Sequence, residues 1–269
     1  MYPVLVEICP IAIRFYGLMY AIAILVGIKL ISHEVKRKGL SLTDDNVMNL
    51  MLWVVLGGLL GARIYYVVFN WSYYSANPWE IPAIWHGGQA IHGGMIGGII
   101  IGFWFCRKEK VPFTAMADAS APAIILGQVF GRFGNFMNGD AHGLPTTMPW
   151  GIVFPKTSIA GREFPGIPLH PTMLYELAIN VLIFLLLWKI RKGTYKDGFL
   201  FSLYLILYSV GRFFVSFFRA DDLMLAGLRM PHLISAVIVL VVGVLIVKKR
   251  LWIQESVPTK KSPRQRRRG

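Results

Sequence analysis

Charge is scarce in this chain. Only 16% of its 269 residues are charged, 14 acidic against 28 basic. A soluble domain carries about a quarter charged residues, so composition alone excludes an ordinary cytosolic globule. Cysteine is scarcer still: Cys9 and Cys106 are too few for a disulfide scaffold and lack metal-ligand spacing. Internal repeats and low-complexity blocks are missing, and the opening MYPVLVEICP has no basic n-region of a cleavable signal peptide. Apolar residues are abundant instead, at 55% with a mean hydropathy of +0.54.

A hydrocarbon core about 30 Å thick takes about 20 mostly apolar residues per helix. Seven stretches meet that requirement: residues 14–31, 46–69, 89–105, 115–137, 172–188, 198–218 and 231–247. The third is short and Gly-rich, and its limits are the least sharp. The pattern predicts an all-α polytopic membrane protein of seven transmembrane helices over residues 1–250. An outer loop at 139–170 carries enough Pro and Gly for a small lid, and a basic tail occupies 251–269. Lys and Arg fix the orientation. Lys36, Arg37 and Lys38 follow the first span, Arg107, Lys108 and Lys110 the third, and Lys189, Arg191, Lys192 and Lys196 the fifth. With the tail, one side holds 19 of the 28 basic residues. The N-terminus is therefore expected outside and the C-terminus in the cytoplasm. The terminal KKSPRQRRRG reads as a lipid-attracting topology lock rather than a nucleic-acid arm.

Ionisable groups within a span cost about 2.5–3.5 kcal/mol each on insertion scales, so they persist where they face a cavity, pair or work. Arg63, Arg132 and Arg212 lie within spans 2, 4 and 6, with no carboxylate within one turn on their own helices. At 100° per residue, Gln128, Arg132 and Asn135 form one stripe, Tyr208, Arg212, Ser216 and Arg219 a second, and Arg63, Tyr66 and Asn70 a third. All three arginines lie about six residues, roughly 9 Å, from the outer ends of their spans. Arg14, Tyr16, His92, His170, Tyr175 and Glu176 begin other spans at that same level. One polar cavity in the outer leaflet accounts for this layer. Guanidinium forks match phosphate oxygens, so the expected occupant is a phospholipid headgroup, with His or Tyr available as a base.

Five stretches then read together: RFYGLMY (14–20), IHGGMIGG (91–98), GRFGNFMNGDAHG (131–143), HPTMLYE (170–176) and YSVGRFFVSFFR (208–219). With the seven spans, in this order along nearly the whole chain, they resemble the prolipoprotein diacylglyceryl transferase family. The G-R-x-G-N-F-x-N-G block carries most of the specificity. Gly93, Gly94, Gly97 and Gly98 alone suit small-residue helix packing equally well.

The resemblance implies transfer of the sn-1,2-diacylglyceryl group from phosphatidylglycerol to the lipobox cysteine thiol of a bacterial prolipoprotein, in the cell (inner) membrane. It implies a thioether product and released glycerol 1-phosphate. It places the base on His92, the essential cations on Arg132 and Arg212, and an important tyrosine at Tyr16, which orients the headgroup or assists proton transfer. Asn135, Asp140, Gly143, Arg219 and Tyr208 are expected around the substrate. Two uses are open to Arg63: phosphate binding, or pairing with Glu176 or Asp140. No cofactor, metal or nucleic-acid partner is expected, and the signal peptide of the prolipoprotein is the macromolecular one.

The chain departs from the family pattern at three points. Asp140 stands where Glu is usual, one methylene shorter, and is expected to keep an ion-pair or positioning role, with Arg132 or Arg219 as its partner. Ser216 and Met173 stand where relatives often have an acid and an amide. His142 and His170 read as loop-holding residues, and Asp221 and Asp222 as solvated partners of Arg219 and Arg229. A secondary transporter would require a midplane site and an internal repeat. The polar layer lies to one side, and no such repeat is visible. A lipid-binding module without catalysis is disfavoured by a histidine beside two phosphate-type arginines.

Overall fold

The computed structural model of the chain describes residues 4–8, 11–220, 224–225 and 227–253. Cys9, Asp221, Asp222 and residues 254–269 of the basic tail lie outside them. A hairpin of β1 (Val4–Ile8) and β2 (Ile11–Arg14) leads into α1 (Phe15–Lys38). Next come α2 (Asp44–Phe69), the short α3 (Trp71–Ala76), two single 3₁₀ turns, α4 (Ile91–Lys108) and α5 (Phe113–Asn138). The 139–170 loop contains β3 (Ile152–Val153), α6 (Ile159–Glu163) and β4 (Pro168–Leu169). Then follow α7 (Thr172–Ile190), α8 (Phe199–Ser216), the hairpin β5 (Met224–Leu225)–β6 (Leu228–Arg229), and α9 (Met230–Lys249). The architecture is mostly helical rather than strictly all-α. The three small hairpins lie in non-spanning segments, where the 3.6-residue apolar period gives no information.

Among the described residues, six helices are long and apolar enough to cross a membrane: α1, α2, α5, α7, α8 and α9. The expected third span is α4, 18 residues with five glycines and two terminal basic residues, which is not among them. Its partner explains its composition. α4 packs along α2 with backbone against backbone: a Cβ on Gly61 would fall on Gly93 and Gly97, and one on Gly97 would strike the Gly57 carbonyl. Small residues on both helices let them approach this closely, at the expense of apolar side chains on α4. α1 packs along α5, α5 along α7 and α8 along α9. Only 6% of the residues in the most apolar stretch of α9 are buried, so beyond the side packed on α8 its side chains point outward, as lipid contact demands.

Helices α5, α7 and α8 pack against one another and are layered along their length. At one end, the Asp118 carboxylate caps α8 by accepting from Gly198 and Phe201 amides, each at 2.9 Å, and it also meets Lys38. Nearby, fully buried Glu34 pairs with Arg191 and with Arg37. Above these ions lies an apolar plug of Ala121, Ile125, Ile183, Leu187 and Leu200 under the Tyr204 ring. An amide level follows: Gln128 Nε2 donates to Tyr204 Oη at 2.9 Å, and Asn180 is 1% exposed. One turn further along α5 and α7, and two turns along α8, stand Arg132, Glu176 and Arg212.

Candidate functional site: an arginine cluster on one carboxylate

Glu176 lies in the first turns of α7, 3% exposed, and gathers three guanidiniums. Arg212 Nη1 of α8 donates to its Oε1 at 2.6 Å, and Arg219 Nη1, just past α8, donates to the same oxygen at 2.9 Å. Arg132 Nη2 of α5 stands 2.5 Å from Oε2. The sequence shows Arg63, Arg132 and Arg212 without a carboxylate within one turn on their own helices, so that each needs an anion from elsewhere. The structure supplies an internal one for Arg132 and Arg212, and for Arg219 as well. The cation faces remain more open than the anion: the side chains of Arg132 and Arg212 are 22% and 17% exposed against 3% for Glu176.

The end of α5 builds the next shell. Gly139 adopts φ +67° and closes the helix, its amide donating to Asn135 O at 2.8 Å. This left-handed turn folds Asp140 back over the last turn. There the carboxylate accepts from Asn135 Nδ2 and Asn138 Nδ2, each at 2.6 Å. Arg132 Nη1 donates to Asn135 Oδ1 at 3.3 Å, so Asp140 reaches Arg132 through an amide. Of the two roles expected of Asp140, direct pairing with Arg132 or Arg219 gives way to positioning through two amide contacts, because the short side chain leaves the turn pointing at its own helix.

Tyr16 enters from α1. Its ring lies over Gly134, where a Cβ would sit 2.9 Å from Tyr16 Cδ2, and its hydroxyl is 3.1 Å from that of Tyr20. Gly134 of the G-R-x-G-N block is thus the space that seats Tyr16 between Arg132 and Asn135 along α5. Gly143 is required for a similar reason. Its amide donates to His170 O at 2.9 Å, it bridges to Arg219, and a Cβ would stand 2.6 Å from both the His170 and Phe218 carbonyls. The loop after α5 is in this way stitched to the ends of α7 and α8 beside the cluster. Arg229 Nη1 donates to Ser216 O at 2.6 Å and Arg219 O at 2.7 Å, fixing the exit of α8. His170 Nδ1 and Tyr175 Oη are 3.0 Å apart, and Trp150 donates to Tyr175. Among the described residues no group of three or more His, Cys, Asp or Glu is placed to hold a metal ion.

Two further expected residues sit on α2 and α4. His92, at the start of α4, is exposed, its ring centroid 6.2 Å from that of Tyr65 on α2. That ring contact lies across the α2–α4 pair. Arg63 is 5% exposed and takes neither use expected of it. Nε donates to Ile81 O at 2.8 Å, Nη1 to Gly87 O and Gly88 O at 2.6 and 2.9 Å, and Nη2 to Glu80 O. Its guanidinium also lies 5.1 Å over the Tyr74 ring. Four of five N–H donors bind the backbone of the 78–88 segment, a role no helical stripe reveals. Arg63→Met is accordingly expected to release that segment. Limited proteolysis should cut there at least about tenfold faster than in the parent, since four backbone carbonyls lose the donors that tie the segment down; unchanged cleavage would contradict this role. Tyr208 stands one turn below Arg212, stacked on Tyr204 at 6.1 Å.

A multi-helix membrane scaffold that concentrates arginines from separate helices at one end is the class of protein this geometry defines. The prolipoprotein diacylglyceryl transferase family model matches residues 3–248. A phosphatidylglycerol–prolipoprotein diacylglyceryl transferase of Fusobacterium nucleatum subsp. nucleatum is 41% identical over 285 residues, covering 93% of this chain and 98% of the relative. Those of Trichormus variabilis (43% identical, 87% of this chain and 84% of the relative) and Staphylococcus haemolyticus (39%, 97% and 93%) carry the same name. The chain belongs to the prolipoprotein diacylglyceryl transferase family and is a multi-pass membrane transferase of lipoprotein biosynthesis.

Proposed function

We propose that the protein transfers the diacylglyceryl group of phosphatidylglycerol to the lipobox cysteine of a prolipoprotein, at the outer leaflet of a bacterial cell membrane. In this reading α4 completes seven crossings, the N-terminus lies outside, and the arginine cluster opens on an outer-leaflet chamber that takes the lipid laterally. The observation that carries the proposal is the convergence of Arg132, Arg212 and Arg219 on buried Glu176, with the first two partly exposed.

The displacement runs at the glyceryl carbon bonded to the phosphate oxygen. The thiol loses its proton to a base, since the thiolate is the attacking form and a free thiol has a pKa near 8.5. Sulfur bonds to carbon, the carbon–oxygen bond breaks, and its electron pair stays with the phosphate, which leaves as glycerol 1-phosphate and takes up a proton. Negative charge grows on that phosphate in the transition state. Fixed guanidiniums held by Glu176 and Asn135 require no reorganisation to meet it, the condition under which electrostatic stabilisation is most effective. Arg132 and Arg212 are the phosphate clamp, Arg219 and Asn135 support it, and Asp140 orients Asn135. Tyr16 lies against the clamp as headgroup contact or proton relay, Gly143 holds the outer loop close, and His92 is the base.

The test is the purified protein with phosphatidylglycerol vesicles and a lipobox peptide, the peptide mass being read before and after reduction and alkylation. The expected product is a diacylglyceryl adduct on cysteine that resists reduction, with glycerol 1-phosphate released in equal amount. A peptide whose thiol remains fully alkylatable would contradict the proposal.

A further inference from the structure

The arginine cluster holds an anion of its own. Both oxygens of Glu176 are engaged, Oε1 by Arg212 and Arg219 and Oε2 by Arg132, and the carboxylate is 3% exposed beneath the partly exposed guanidiniums. A carboxylate in this position does two opposed things. It keeps three like charges together in one place, and it repels any second anion that approaches the same guanidiniums.

We infer that Glu176 is a built-in competitor for phosphate, a positioning residue that weakens the hold of the cluster on anions and thereby speeds release of the phosphorylated product. This rests on the phosphatidylglycerol reading of the site. The donor phosphodiester carries one negative charge. A phosphate monoester carries about 1.5 to 2 at pH 7, so repulsion from Glu176 falls more heavily on the product than on the donor. Without the carboxylate charge, the same arginines would retain glycerol 1-phosphate after each turnover. Ser216, fully buried one turn along α8 from Arg212, brings no charge of its own, and Glu176 is the described carboxylate in contact with both Arg212 and Arg219.

A carboxylate that only scaffolds the arginines predicts the opposite sign, because its loss would scatter them and weaken phosphate binding. Glu176→Gln keeps the shape and removes the charge. We expect this variant, in detergent, to bind sn-glycerol 1-phosphate at least about tenfold more tightly, as removal of a nearby like charge in a site of low dielectric implies. KM for phosphatidylglycerol should fall by a smaller factor, and kcat should fall with a burst of product in the first turnover. Glu176→Asp keeps the charge and should bind the product within about threefold of the parent, so it decides the matter if Glu176→Gln does not fold. Weaker product binding in Glu176→Gln, or a tenfold loss in Glu176→Asp, would overturn the inference while leaving the function intact. A parent protein that binds neither sn-glycerol 1-phosphate nor phosphatidylglycerol would remove the underlying reading as well.

Discussion

Arg132→Lys is expected to lower transfer by about 100-fold or more while leaving the protein folded and the charge unchanged. Arg132 uses two separate nitrogens on two partners, Nη2 on Glu176 and Nη1 on Asn135. A single ammonium on a flexible stem cannot make both contacts and also present a fixed planar face to phosphate. Removing one preorganised donor from a site of this kind costs about 10²–10³ in rate. Arg132→Lys keeps the Coulomb attraction and loses the fork, so it separates the two contributions in a way that an alanine substitution does not. The measurement is initial rate of peptide lipidation at saturating phosphatidylglycerol, with thermal unfolding as the control for folding. Near-parental transfer would remove Arg132 from the phosphate clamp.

His92→Gln is the second large effect, a fall of about 10²–10⁴ in transfer, the range typical of a positioned base. Folding and phosphatidylglycerol binding should be retained, because His92 is exposed at the first turn of α4, where its neighbour is the Tyr65 ring. The close α2–α4 contact runs through Gly57, Gly61, Gly93 and Gly97 and does not involve the imidazole. A thiol supplied already ionised should narrow the deficit, so the ratio of parent to variant should shrink as pH rises toward the thiol pKa. A variant that transfers at the parental rate would place the base elsewhere, with Tyr16, packed on Gly134 beside Arg132, as the next candidate.

What the sequence makes legible depends on which physical rule is local. Length and apolarity mark α1, α2, α5, α7, α8 and α9, because each is a solvation requirement met within one helix. α4 is less legible, since its glycines answer to α2 across the interface rather than to lipid. Depth within a span brings Arg132 and Arg212 to one level, and the structure joins them. Depth is silent on azimuth, so Arg63 at the same level turns instead to the carbonyls of the 78–88 segment. Glu176 is visible in HPTMLYE as an acid at the start of a span, yet its meeting with three arginines depends on how α5, α7 and α8 pack. The signal for it is the unmatched positive charge of spans 4 and 6, which an acid at the same level on another span can answer. Asp140 shows the limit from another side: Gly139 and a shorter side chain direct it to Asn135 and Asn138.

The most direct measurement for the central claim is a magnetic-resonance distance in phosphatidylglycerol bilayers, between labelled guanidinium nitrogens and the lipid phosphorus. A phosphate hydrogen-bonded to guanidinium at both Arg132 and Arg212, with the Arg132 signal removed in Arg132→Lys, is the predicted result. Phosphorus contact confined to the basic loop residues, with none at Arg132 or Arg212, would contradict it.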